Sequence, residues 1–313
     1  MTDAVLTLRD VHKKYGEFTA VNKVSLDIPR GAIYGFLGPN GAGKTTIIRM
    51  ILDIIRPDSG QISVLGHSSA MAVRDRIGYL PEEKGLYKKM KVWAVIAYFA
   101  SLKGLPRKAA RQRAFELLER YGLADFANAT VDSLSKGMGQ KVQVIASIAH
   151  DPELVILDEP FSGLDPVNQQ VLEDLIRDLS SDGRTVIFST HVMQHAERLC
   201  DRLVLIARGE KVLDGTVDEA RAIIPRRVTL ETDHDIRHFE LLPGVLAVYP
   251  RSDITTHATS WDIHLDEHTD PQMLLRQCFD DGIGLNRFDY TYASLHDVFV
   301  HLVGSDAAEQ SFR

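Results

Sequence analysis

The chain has 313 residues, 44% of them hydrophobic, which is ample for a buried core and too long for one small domain, so two folding units are expected. A net charge of −7 and a pI of about 5.9 give no bulk basic bias, so a nucleic-acid partner is not expected and only a local basic patch is left open. The two cysteines, Cys200 and Cys278, are far apart and fit reduced thiols in a cytosolic protein.

The first ten residues, MTDAVLTLRD, lack a basic segment running into an apolar core, so no signal peptide is expected. Short strands are expected at 5–8 and 24–28, with a turn near Tyr15–Gly16. An apolar strand at 32–38 runs into GPNGAGKTT, and an amphipathic helix at 47–55 follows, stopped by Pro57. A turn and strand occupy 58–66, and a strand at 76–83 ends in acids. From Lys91 to about Gly122 the pattern is helical; its run VWAVIAYFA (92–100) reads as helical core. That run is also the longest purely apolar one, far short of the roughly 20 residues that span a bilayer, so a membrane role needs a membrane-embedded partner. LVILDEP (154–160) is a buried strand tipped by acids, 167–183 a helix and 185–191 another buried strand. Strands alternating with helices predict a parallel sheet covered on both faces.

Near Pro225–Arg227 the apolar runs shorten and histidines become frequent, which places a boundary between residues 1–225 and 226–313. The tail predicts strand (228–231), short helix (235–242), strand (245–249), strand (261–265), helix (271–282), strand (285–291) and helix (294–304), the split βαβ, ferredoxin-like order of a small α+β domain. Ser294 and Asp297 resemble a helix-start pair, Trp261 and Cys278 read as core, and 305–313 as a frayed end.

Two stretches carry chemistry. GPNGAGKT (38–45) fits G-x-x-x-x-G-K-[ST] between a strand and a helix. Its glycines let backbone N–H groups curl around phosphates, so Gly38, Pro39, Asn40, Gly41, Ala42 and Gly43 form the cradle. Lys44 supplies charge to the outer phosphates, Thr45 a hydroxyl for Mg²⁺, and Thr46 reaches a further phosphate oxygen. In LVILDEP, Asp158 and Glu159 emerge at the carboxyl end of a strand, where such sheets bind ligands. Asp158 suits support of Mg²⁺, and Glu159, aimed differently, is the candidate general base. A third stretch, LSKGMGQKVQ (134–143), looks like a helix start able to hold an anion, although the chain already has one phosphate loop.

GPNGAGKTT, LSKGM, LVILDEP, SGLDP and FSTH, in that order, resemble the ATP-binding subunits of ABC transporters over residues 5 to about 220. The resemblance implies a P-loop NTPase of the ABC type: a parallel-sheet core, an antiparallel β subdomain and a helical subdomain at about 86–150. It implies an ATPase with ATP and Mg²⁺ as ligands, in which Tyr15 stacks on adenine, although Tyr15 also reads as a plain turn aromatic. It implies that Ser135 and Gly137 of the signature meet the γ-phosphate held by a second ATPase subunit, identical or related. Asp165 then lies in the loop linking the two sites, and His191 contacts the γ-phosphate and positions water. His191 and His195 are spaced like a metal pair, but no further ligand cluster accompanies them and the phosphate role is preferred.

Two positions depart from the family pattern. After GYLP (78–81) the coupling loop has Glu82 in place of glutamine, a carboxylate that approaches Mg²⁺ and water but cannot donate a hydrogen bond. The signature has Lys136 and Met138 where LSGGQ has glycine and glutamine. GYLPEEKGLY, LSKGM and the tail ending SLHDVFVHLVG together look like exporter ATPases that serve separate membrane permease subunits, among them sodium- and drug-extruding ones. Such a protein is cytoplasmic, peripheral on the membrane through its permease. Lys84, Lys88, Lys89 and Lys91 around Leu86, Tyr87, Met90 and Trp93 read either as a solvated face or as the docking surface for that partner. The competing class is a soluble ABC-type ATPase acting outside transport, but those usually carry two cassettes or long coiled coils, and this chain has one phosphate loop and no long heptad run.

Overall fold

The computed structural model describes residues 4–83, 85–251, 259–266 and 268–304; Lys84 and the 305–313 end lie outside the described residues. They fall into two compact units that divide in sequence between Val217 and Asp218.

In the first unit, β1 (Ala4–Tyr15) and β2 (Phe18–Pro29) form a hairpin around Gly16. It is much longer than the short strands expected, because register shifts, with Asp10 (φ 48°) and Lys23 (φ 49°) in the left-handed region, let pairing continue through polar residues. β3 (Ile33–Leu37) is wholly buried and leads to α1 (Lys44–Ile51). α1 stops short of the predicted Ile55. Asp53 turns left-handed (φ 61°), and the N–H groups of Asp53 and Ile54 donate back to the carbonyls of Met50 and Arg49, closing the helix before Pro57 acts. β4 (Ser59–Val64) pairs with the other side of β1, giving an antiparallel sheet of order β2-β1-β4. After β5 (Ile77–Leu80) come the helices α2 (Val92–Leu102), α3 (Arg107–Arg120) and α4 (Lys136–Ile148). The remaining elements are β6 (Leu154–Leu157), α5 (Pro166–Ser181), β7 (Thr185–Thr190), α6 (Met193–Leu199), β8 (Arg202–Ala207) and β9 (Glu210–Gly215).

The main sheet has the order β5-β6-β7-β3-β8-β9, parallel except for β9. Strand residues alternate between two cores. Leu154 and Ile156 of β6 join Ile47, Ile48 and the β1–β2 residues on one side. Val155 and Leu157 join α2 to α5 on the other. Both faces are therefore covered, as continuous apolar strands require.

The second unit opens with the short helix α7 (Val217–Arg221), whose first residue still belongs to the first unit. Then follow β10 (Arg226–Thr232), β11 (Val245–Arg251), β12 (Thr259–Leu265), α8 (Gln272–Asp280), β13 (Arg287–Thr291) and α9 (Leu295–Val303), with a 3-10 turn at Arg237–Leu241. The antiparallel order β11-β12-β10-β13 is the ferredoxin-like arrangement: β12 lies between β10 and β11, which the 3-10 turn connects. Its core gathers Leu230, Phe239, Trp261, Ile263 and Cys278. Ser294 and Asp297 form a capping box at α9.

Candidate functional site

The parallel strands β5, β6, β7 and β3 end within two residues of one another on the same side of the sheet. Leu80 pairs with Leu157, Leu157 with Phe188 and Leu37 with Thr190, so Pro81, Asp158, His191 and Gly38 leave the sheet along one edge. This is the carboxyl edge, where ligands bind in sheets of this kind.

The loop at Gly38–Gly43 is tight enough to demand glycine. At Gly38 (φ 149°) a Cβ would lie 2.1 Å from the Ile206 carbonyl oxygen, and at Gly43 (φ 105°) 2.5 Å from that of Ala20. Pro39 and Ala42 are buried and joined by the Ala42 N–H donating to the Pro39 carbonyl (3.2 Å), while Asn40 and Gly41 are exposed at the crest. α1 starts at Lys44, so the N–H groups of Lys44, Thr45 and Thr46 have no partner one turn back in the helix and are available to an anion. Lys44 Nζ donates to the carbonyls of Gly38 (2.7 Å) and Pro39 (3.0 Å) and stands 3.5 Å from Glu159 Oε1. Burial lowers its pKa, and the charge of Glu159 opposes that shift.

Asp158 and Glu159 share one organiser, Ser189. Its hydroxyl donates to Asp158 Oδ1 (2.5 Å) and accepts from the Glu159 backbone N–H (2.9 Å). Thr45 Oγ1 donates to the same Asp158 oxygen at 3.3 Å. Asp158 Oδ2 is buried and has no hydrogen-bond partner among the described residues, and burial raises the pKa of the carboxyl against the pull of Ser189 and Thr45. An orphaned carboxylate oxygen beside a threonine hydroxyl is a hard-oxygen donor set, and these residues fit Mg²⁺. Glu82, exposed just after β5, adds a carboxylate whose charge is felt at Lys44.

Glu159 holds a left-handed φ of 47°, a strained state that persists where surrounding structure enforces it, often at functional sites. The conformation turns its carboxylate, 8% exposed, so that Oε2 lies 3.0 Å from His191 Nδ1 while Oε1 faces Lys44. The sheet edge therefore brings Lys44, Thr45, Asp158, Glu159 and His191 together.

Ser135, Gly137 and Asp165 form a second group. Ser135 is exposed and caps α4 by accepting from the Met138 N–H (3.3 Å). Asp165 caps α5 by accepting from the Asn168 N–H (2.9 Å) and side-chain amide (2.7 Å), which holds its carboxyl below the usual range. Lys136 is exposed and lies over Gly163, where a Cβ would meet its Nζ at 2.0 Å; Met138 is half-buried against the helical core. Gln140, buried, donates to the Pro160 carbonyl (3.0 Å) and so anchors α4 to the segment after Glu159. Tyr15, 47% exposed, sits at the tip of the first hairpin opposite Phe18, 62% exposed.

Sequence reasoning missed Ser189, Asn168 and Gln140. Ser189 gave one signal, a polar residue near the carboxyl end of an otherwise apolar buried strand, TVIFST. Asn168 and Gln140 gave none, since polar residues early in a helix are ordinarily solvated. His195 faces Glu173 Oε1 (3.2 Å), whereas His191 faces Glu159.

A family model described as ABC transporter matches residues 21–162. The chain is 39% identical over 303 residues to the uncharacterized ABC transporter ATP-binding protein YhaQ of Bacillus subtilis, covering 96% of this chain and 99% of that one. It is 35% identical over 318 residues to the daunorubicin resistance ATP-binding protein DrrA3 of Streptomyces coeruleorubidus, covering 98% of each. Among solved structures it is similar to the ATP-binding cassette MJ0796, a dimer in a post-hydrolysis state bound to ADP and Pi. The TM-score is 0.62 and the identity 25%, over 67% of this chain and 98% of that one.

Proposed function

The chain belongs to the ABC transporter ATP-binding family and is an ATPase, and we propose that it energises an exporter through ATP-driven pairing of two such chains on separate permease subunits. The observation that carries this reading is the placing of the family's motifs in two groups. Lys44, Thr45, Asp158, Glu159 and His191 make one half of a site, while Gly137 and Asp165 meet at Asn168, with Ser135 capping the helix that carries Gly137. A helix start with no acid in its first turn, capped by an exposed serine, offers N–H groups to an anion held by another chain.

In the first group, the loop N–H groups and Lys44 hold the outer phosphates of ATP. Thr45 and Asp158, with Glu82 nearby, would hold Mg²⁺, which supplies charge neutralisation on the phosphates. Glu159 accepts a proton from the attacking water, and His191, 40% exposed and anchored to Glu159 by Nδ1, orients that water. Tyr15, exposed at its hairpin tip, stacks on adenine. In this reading residues 1–225 constitute the nucleotide-binding domain and 226–313 an accessory domain, a few residues beyond the division between Val217 and Asp218 that separates the two compact units.

Among the described residues no helix is long and apolar enough to cross a membrane. The permease docks beside the coupling loop, where a hollow of about 190 Å³ is lined by Tyr79, Pro81, Glu83, Leu86 and Phe99. The rings of Tyr87 and Tyr98, 51% and 39% exposed, lie against Phe99 of that lining, their centroids 5.5 Å from each other. Aromatic anchors around a hollow are what a protein partner buries. Similarity to the Nod factor export ATP-binding protein I of Burkholderia lata supports the direction of transport, and similarity to the daunorubicin resistance ATP-binding protein is in keeping with it.

The test is co-expression with candidate multi-span membrane chains, followed by ATPase assays in proteoliposomes. Co-purification and substrate-stimulated turnover are expected. Turnover indifferent to every membrane chain, with none co-purifying, would instead favour a soluble ATPase acting outside transport.

A further inference from the structure

A buried ionisable pair adjoins the Glu159–His191 contact, and neither member has a role in the chemistry above. His195, on α6, is 4% exposed, and Glu173, on α5, is fully buried. His195 Nδ1 lies 3.2 Å from Glu173 Oε1. The imidazole also stacks on Phe161, with ring centroids 4.1 Å apart and planes 15° from parallel. Guanidinium nitrogens of Arg177 and Arg198 stand 3.8 and 3.7 Å from the same carboxylate. Desolvating a carboxylate and an imidazole is costly, and an apolar pair would fill the space with less penalty. Such a pair is poor evidence for stability and better evidence for a fixed geometry.

The chain positions say which geometry. Phe161 is two residues beyond Glu159, and His195, in the first turn of α6, is four residues beyond His191, which precedes that helix. The Phe161–His195 stack therefore joins, a second time, the two segments that Glu159 and His191 already join. Glu173 ties that stack to α5, the helix that Asp165 caps.

We propose that His195 and Glu173 are positioning residues, a clasp that sets the Glu159–His191 separation and links it to α5. The proposal rests on the assignment of Glu159 and His191 made above. Burial keeps the His195 imidazole toward its neutral form against the pull of Glu173, so one ring nitrogen is free to donate to the carboxylate without carrying charge. A shift of α5 as two chains close then reaches the catalytic pair through Glu173 and His195.

The experiment uses the full chain with His195→Ala, Glu173→Gln and the double variant, measuring kcat, ATP affinity without turnover, and Tm. Each single variant is expected to lower kcat about tenfold or more at unchanged ATP affinity, since slight misplacement of a catalytic pair is that costly. The double variant is expected to be no slower than the worse single one, because the two side chains act as a unit. A kcat within about twofold of wild type in His195→Ala, or losses that multiply in the double variant, overturns the clasp. A purely structural role would lower Tm while leaving kcat intact below the transition, which also overturns it. If His195→Ala does not fold, His195→Gln, which keeps a donor for Glu173 but loses the ring stack, is judged by the same kcat and affinity criteria. Wild-type turnover in Glu159→Gln would sink the underlying reading instead, and so the two failures are separable.

Discussion

Gly137 and Asn168 are packed so closely that a Cβ on Gly137 would lie 2.2 Å from Asn168 Cγ, inside the contact distance of any two carbons. Asn168 is at the same time the residue whose amide holds Asp165. The signature helix and the loop before α5 are thus fitted to each other within one chain, before any second chain is involved. Gly137→Ala is expected to crowd Asn168, displace the start of the signature helix and lower kcat with little change in ATP affinity. Adding Asn168→Ala, which frees the space, is expected to restore part of the loss. Steady-state kinetics on the three variants decide it, and a double variant slower than Gly137→Ala would show that crowding at Asn168 is not the cause.

Glu159→Gln keeps the side-chain volume and a partner for His191 but removes the base. Turnover should fall by at least about a hundredfold, the usual reach of a positioned general base. ATP binding should persist, and with ATP the variant should elute as a dimer in size-exclusion chromatography. Wild-type turnover would reject the assignment of Glu159.

Ser135→Arg addresses the half-site. The Ser135 side chain is exposed and, among the described residues, its hydrogen bond is the capping one from the Met138 N–H, so its loss costs about 1 kcal/mol of stability. ATP binding to the isolated chain should be unaffected while turnover disappears. Equilibrium binding measured below the dimerisation range is the check, and lost binding there would place Ser135 on its own chain's nucleotide.

Glu82→Gln exchanges the extra carboxylate for an amide. A unit negative charge about 4 Å from a divalent cation in water contributes roughly 2 kcal/mol, so the Mg²⁺ concentration for half-maximal turnover should rise about thirtyfold. An unchanged Mg²⁺ midpoint would mean that Glu82 does not approach the cation.

His150 gives a pH dependence of stability. It is buried beneath β5, with Nε2 3.1 Å from the Ile77 carbonyl oxygen and Nδ1 without a partner among the described residues. Burial, helped by the charge of Lys103, pushes its pKa down from 6.5 to about 4. The folded state therefore favours the neutral ring. The stability this contributes is complete above pH 6.5 and is lost as pH falls toward 4, amounting to about 2 kcal/mol by pH 5. Denaturant titrations at pH 7 and pH 5 should show that difference, and His150→Gln should remove most of it. Equal slopes with pH in both proteins would show that another group governs the window.

Much was determined by the sequence alone. The parallel core followed from apolar strands alternating with helices, and the ferredoxin-like tail from the order of its short runs. Lys44, Thr45, Asp158 and Glu159 were readable because phosphate chemistry needs those residue types at fixed offsets from glycines and strand ends. The length of the first hairpin was not readable, since bulges at Asp10 and Lys23 carry its pairing past the apolar pattern. Nor was the end of α1, which Asp53 sets by turning left-handed before the proline is reached. Only the tertiary structure could reveal that Ser189 serves both acids, that Asn168 fills the space beside Gly137, and that His195 belongs to Glu173. Each of those contacts joins residues more than twenty positions apart. They depend on which strands are neighbours and where each strand ends, and local pattern does not encode that.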